Sequence, residues 1–131
     1  QQLNQNLNSI QYAANGALRA ELNAKEDGFI LKIRLRNSWH INAEIPGDKR
    51  LVGAQVSGLN VDQISYPEGS ALNVQFSQDP IEVYSGEFEI SGRQTTQDGL
   101  LPPRLMFQFQ ACSDRICLPP ERLVMQIPAT H

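Results

Sequence analysis

The sequence predicts an all-β chain, antiparallel sheets packed face to face in a single domain. Three observations carry this. Apolar and polar residues alternate with period two in many short segments, Gly, Pro, Asn or Asp stand between most of them, and no stretch repeats its apolar positions at helical spacing. About eight such segments in 131 residues fit an immunoglobulin-like β-sandwich, with a small barrel as the rival arrangement. A chain of this length buries a full core without covalent staples.

Residues 1–11, opening QQLNQNLNSI, are rich in Gln and Asn and hold no period. They are expected to form a tail or loosely docked lead-in, leaving 12–131 as the domain. The chain starts at Gln1 without a methionine or a charged-then-apolar leader, as expected of a processed or excised domain. In ALRAELNA, Leu18, Ala20 and Leu22 alternate with Arg19 and Glu21; in FILKIRLR, Phe29, Leu31, Ile33 and Leu35 alternate with Lys32, Arg34 and Arg36. The KEDG connection at 25–28 carries an Asp-Gly turn signal, so the pair reads as a hairpin. Further strands are expected at LVGAQV (51–56), VDQISY (61–66), LNVQF (72–76), IEVYSGEFEI (81–90), RLMFQFQA (104–111) and RLVMQI (122–127). The single tryptophan, Trp39, and Tyr84 read as packing residues.

Charge excludes one class of function. With 14 acidic and 11 basic side chains the net charge is −3, and Lys49-Arg50 is the longest basic run, so the footprint of a nucleic-acid binder is missing. No apolar run approaches the roughly 18 residues of a membrane span.

Chemistry concentrates in QACSDRICLPPE, residues 110–121, which holds both cysteines, Cys112 and Cys117. The segment joins the last two expected strands, so both sulfurs fall at one end of the sandwich. Pro119 and Pro120 lack backbone N–H donors and hold the loop extended and presented. A structural disulfide here would close only a short loop, worth about 2 kcal/mol in the chain-entropy treatment. An immunoglobulin-type structural bridge instead joins the two sheets through cysteines far apart in sequence. Close spacing therefore favours a pair that opens and closes, with a purely structural bridge as the rival. A structural zinc would need four ligands, and the histidines are only His40 and His131. A cysteine hydrolase would need one activated nucleophile with a positioned base.

Four segments together, SWHINAEIPG (38–47), YPEG (66–69), VYSGEFEI (83–90) and FQACSDRICLPP (109–120), resemble the periplasmic amino-terminal domain of the DsbD family, the thiol:disulfide interchange proteins or protein-disulfide reductases. The resemblance spans about residues 12–128, and the CLPP cysteine loop is its most specific part. It implies an exported bacterial domain in the periplasm, on an immunoglobulin-like sandwich, with Cys112 and Cys117 as the exchanging pair. Electrons would arrive from a thioredoxin-like domain of the same or a partner reductase, fed by a membrane part that this sequence does not include. They would leave to thioredoxin-like periplasmic proteins such as disulfide isomerases or cytochrome c maturation factors. Cys117 would form the mixed disulfide with partners, and no metal or organic cofactor is implied.

The chain departs from the family in several places. Members familiar for this loop hold five residues between the cysteines; four stand here. An aromatic cap shields the sulfurs in those members, and the matching region, about 66–80, offers Tyr66 and Phe76, the latter also readable as an inward residue of LNVQF. Where the family places tyrosines near the cysteines this chain has His40 and Asn42, and His40 could tune thiolate formation or relay a proton, against a plain polar loop residue. Within the loop, Arg115 would favour a thiolate and Asp114 would oppose it. From another class, the same sandwich could be a non-catalytic binding module whose bridge only braces the last hairpin.

Overall fold

The computed structural model describes residues 9–75, 78–95 and 104–128. Twelve strands run through them: β1 (Ile10–Ala13), β2 (Leu18–Lys25), β3 (Gly28–Leu35), β4 (His40–Asn42), β5 (Gln55–Ser57), β6 (Val61–Ser65), β7 (Ser70–Leu72), β8 (Ile81–Ser85), β9 (Glu87–Gln94), β10 (Arg104–Phe109), β11 (Ala111–Cys112) and β12 (Glu121–Gln126). They form three antiparallel sheets, ordered β1-β2-β3-β9-β6, β12-β10-β5 and β11-β4-β8-β7. The architecture is the expected all-β, immunoglobulin-like sandwich.

Alternation does the folding work. Leu18, Ala20 and Leu22 of β2 and Leu31, Ile33 and Leu35 of β3 are buried, while Lys32 and Arg34, between the last three, are exposed. These apolar positions meet Val56, Leu105, Phe107, Phe109 and Met125 of the three-stranded sheet in one buried cluster, which Ile41 and Tyr84 of the four-stranded sheet join. Phe107 and Phe109 stack with ring centroids 4.9 Å apart. Hydrogen bonds lace β1 and the residue after it to β12: Gln11 Nε2 donates to the Val124 carbonyl at 2.9 Å, and the Ala14 N–H donates to the Glu121 carboxylate at 3.1 Å.

The β2–β3 hairpin forms as expected, with Lys25 opposite Gly28 and Glu26-Asp27 as the turn. Gly28, however, is a strand residue and serves something other than the turn. A Cβ there would run into the Gly92 carbonyl of β9, so its bare backbone lets the neighbouring strand approach.

Several expected boundaries move. β1 begins at Ile10, inside the stretch read as a lead-in, and pairs with β2 through Ile10↔Glu21 to Ala13↔Leu18. β4 lies in SWHINAEIPG, where no strand was expected. Of LVGAQV only the end joins β5, and β7 ends at Leu72, where LNVQF was expected to begin a strand. IEVYSGEFEI is two strands in different sheets, divided at Gly86, whose φ of 68° turns the chain. RLMFQFQA is likewise two strands: β10 stays with β12, while β11, after Gln110, crosses to β4. The period-two pattern runs in phase through Gln110, from Leu105, Phe107 and Phe109 to Ala111, and shifts phase at Gly86, from Ile81 and Val83 to Phe88 and Ile90.

Candidate functional site

The crossing after Gln110 builds the site. β11 ends in Cys112, which faces Cys117 across an isolated antiparallel bridge, and the two sulfurs are bonded with their Cα atoms 4.0 Å apart. Backbone bonds frame the pair, Ser113 N–H to the Ile116 carbonyl at 2.7 Å on one side and Leu118 N–H to the Ala111 carbonyl at 2.9 Å on the other. Ser113 shapes the tip: its Oγ accepts from the N–H groups of Arg115 and Ile116, both at 3.1 Å, as a serine at the head of a tight turn does. Pro119 and Pro120 follow directly, and the chain then enters β12 in another sheet.

The two sulfurs sit in unlike surroundings. Cys112 is only 4% exposed, whereas Cys117 is exposed, as are Asp114, Arg115 and Ile116. The expected presented loop is therefore presented only in its second half. Beside it opens a cleft of about 760 Å³, walled by the cysteine loop, by Trp39, His40 and Asn42, by Ile81, Val83 and Ser85 of β8, and by the segment Leu72 to Gln75.

Register sets the floor of the cleft. His40 is the cross-strand neighbour of Cys112 on one side and of Ser85 on the other. Directly opposed side chains leave an antiparallel pair on the same face, so the imidazole flanks the buried sulfur. His40 is half-buried, and that burial lowers its pKa and favours the neutral ring.

Asn42, two residues on, is fully buried and shares that face. Its Nδ2 donates to the Val52 carbonyl at 3.0 Å and to Gln110 Oε1 at 3.3 Å. Gln110 Oε1 also accepts from the Val52 N–H at 3.4 Å, and Gln110 Nε2 donates to the Leu118 carbonyl at 3.4 Å. These partners fix both amide orientations and leave Asn42 Oδ1 without a donor. Gln110 thus ties the residue after Cys117 to the cleft floor. Sequence reasoning missed it, since Gln108 and Gln110 look alike as outward positions of FQFQA and only the change of sheet separates them.

The remaining sequence candidates divide. Asp114 and Arg115 lie on the exposed tip and border the cleft. Tyr66 is placed elsewhere: its ring packs on the core and its hydroxyl accepts from the Val56 N–H at 2.8 Å, away from the cleft lining. Phe76 lies outside the described residues. Tyr84 packs as expected, buried, with its ring 5.0 Å from that of Phe88 and its hydroxyl accepting from the Glu44 N–H at 3.2 Å.

Residues 11–128 match the family described as the N-terminal domain of thiol:disulfide interchange protein DsbD. The chain belongs to this family. It is accordingly a thiol:disulfide exchange module, and its two cysteines form the Cys112–Cys117 disulfide. Solved structures agree on the fold. The reduced DsbD N-terminal domain of Neisseria meningitidis is 18% identical, with 91% of this chain and 90% of that one covered and a TM-score of 0.71. The DsbD N-terminal domain of the same organism, in a complex with the PilB N-terminal domain, is 18% identical over 95% and 92%, with a TM-score of 0.66. The N-terminal periplasmic domain of ScsB from Proteus mirabilis is 17% identical, with a TM-score of 0.60; 90% of this chain and 50% of that one are covered. No curated protein sequence matches. In this chain the cysteine loop and the cleft beside it form the candidate site.

Proposed function

We propose that this domain is a periplasmic electron carrier, the protein-disulfide reductase module of a DsbD-type system, with Cys117 as the sulfur that meets partners and Cys112 as the sulfur that resolves. The observation that carries this is the unequal exposure of the pair: Cys117 stands in solvent for a partner to meet, while Cys112 is only 4% exposed. In the reduced domain the Cys117 thiolate attacks a partner disulfide and forms a mixed disulfide. Cys112 then attacks Cys117 Sγ, the bond from Cys117 to the partner breaks, and two electrons leave with the partner. The reverse sequence, with a thioredoxin-like donor attacking Cys117, recharges the pair.

Family membership supports the periplasmic placement and partners of thioredoxin-like kind, among them disulfide isomerases and cytochrome c maturation proteins. The Neisseria complex with the PilB N-terminal domain supports docking of a second protein on a domain of this fold. Asp114 and Arg115, at the lip of the cleft, would meet the partner's charges, and Leu72 and Val74 its apolar surface. The short loop supports a switch more than a brace, since closing it is worth only about 2 kcal/mol.

The test is the reduction potential of the pair, measured by equilibration in graded glutathione buffers and mass counting of alkylated thiols. A working exchanger falls near about −200 to −270 mV, and a value well below about −300 mV would mark an inert bridge. Cys112→Ser is then expected to accumulate a mixed disulfide with its partner, and Cys117→Ser to abolish transfer.

A further inference from the structure

Resting on that exchange reading, we infer that His40 is the proton acceptor for Cys112 in the resolving step. The thiolate, and not the thiol, is the attacking species, and Cys112 is the sulfur with the least access to water to take its proton. The register supplies an alternative base. His40 stands directly opposite Cys112 in the β4–β11 pairing, with Cβ atoms of such pairs about 4.5–5.5 Å apart, and both side chains border the same cleft.

The surroundings suit a base. Burial favours the neutral ring, the form that can accept a proton, and the ring's other cross-strand neighbour, Ser85, does not titrate. Among the described residues, the ionisable side chains on the cleft besides His40 and the two cysteines are Asp114 and Arg115, both on the exposed tip of the cysteine loop. The walls from β4, from β8 and from residues 72–75 add no carboxylate and no ammonium.

In the mixed disulfide, the Cys112 proton passes to the imidazole as the sulfur attacks Cys117 Sγ. A Cys112–Cys117 bond forms, the Cys117–partner bond breaks, and the partner departs as a thiolate that takes a proton from the imidazolium or from water. In the reverse direction the imidazolium returns its proton to Cys112 as that sulfur is displaced. His40 is thereby matched to the buried sulfur; the exposed one is served by solvent.

Stopped-flow reaction of the reduced protein with dithiobis(nitrobenzoate) separates the steps. The first nitrothiobenzoate is released as Cys117 is labelled, at a rate proportional to reagent. The second is released as Cys112 displaces the label, at a rate independent of reagent. His40→Gln is expected to slow the second phase by about a hundredfold or more at neutral pH, the lower end of general-base contributions. Its rate should then climb steadily with pH, where the wild type levels off above the imidazole titration. Added imidazole should restore the second phase in His40→Ala. An unchanged second phase and pH profile in both variants overturns the role of His40 and leaves the exchange reading standing. A wild-type protein that releases one nitrothiobenzoate and never the second overturns both.

Discussion

Asn42 and Gln110 orient each other beneath the disulfide, Nδ2 of the first donating to Oε1 of the second at 3.3 Å, and Gln110 reaches on to the Leu118 carbonyl. One amide therefore connects the cleft floor to the backbone immediately after Cys117. Gln110→Ala would strand the Val52 N–H and the Leu118 carbonyl. The oxidised protein is expected to lose about 1–3 kcal/mol, read as a lower urea midpoint at unchanged slope. A wild-type midpoint would show that the network does not hold the loop.

The reduced protein should alkylate unevenly. Brief iodoacetamide treatment followed by peptide mass analysis is expected to find the adduct on Cys117 first, with Cys112 modified several-fold more slowly, because one cysteine is exposed and the other buried. Equal rates would remove the distinction on which the assignment of roles rests.

His40 gives stability a pH dependence whose sign follows from burial. Its pKa in the folded protein lies below the 6.5 of an unperturbed histidine, so as pH falls the unfolded chain takes the proton first. The stabilisation is complete above 6.5, declines as the pH drops below that value, and levels once the folded ring is protonated as well. Urea midpoints of the oxidised protein between about pH 8 and pH 5 should show this decline, and His40→Gln should flatten it.

Gly28→Ala tests the scaffold apart from the chemistry. The new methyl group would press on the Gly92 carbonyl and force β3 and β9 apart, at a cost of about 1–3 kcal/mol in thermal or urea unfolding. Since neither glycine borders the cleft, the exchange kinetics of the folded fraction should match wild type.

Much of this was legible in the sequence, and the physical reason is the period of two. β2, β3, β10 and β12 each bury one face, and that leaves a visible alternation. β4 is three residues long and β7 flanks a polar loop, so neither shows a full period. The change of sheet at Gln110 was hidden because alternation continues through it, and the one at Gly86 left only a shift of phase, from Ile81 and Val83 to Phe88 and Ile90. At the site, the cysteines announced themselves by rarity and spacing. Gln110 and the pairing of His40 with Cys112 did not, because both depend on a register between segments far apart in the chain. Tyr66 was drawn toward the sulfurs by its place in the family pattern, and the hydrogen bond to Val56 holds it elsewhere.

The burial of one sulfur beside an exposed one governs traffic as well as chemistry. On the proposed exchange through Cys117, whatever reduces the pair and whatever is reduced by it would occupy the same face of the domain, and never together. Each delivery has to follow the departure of the previous visitor, in the alternating order of a two-stroke shuttle. An excess of either class of visitor then obstructs the other, so throughput peaks where supply and demand for electrons are balanced and falls on both sides of that point.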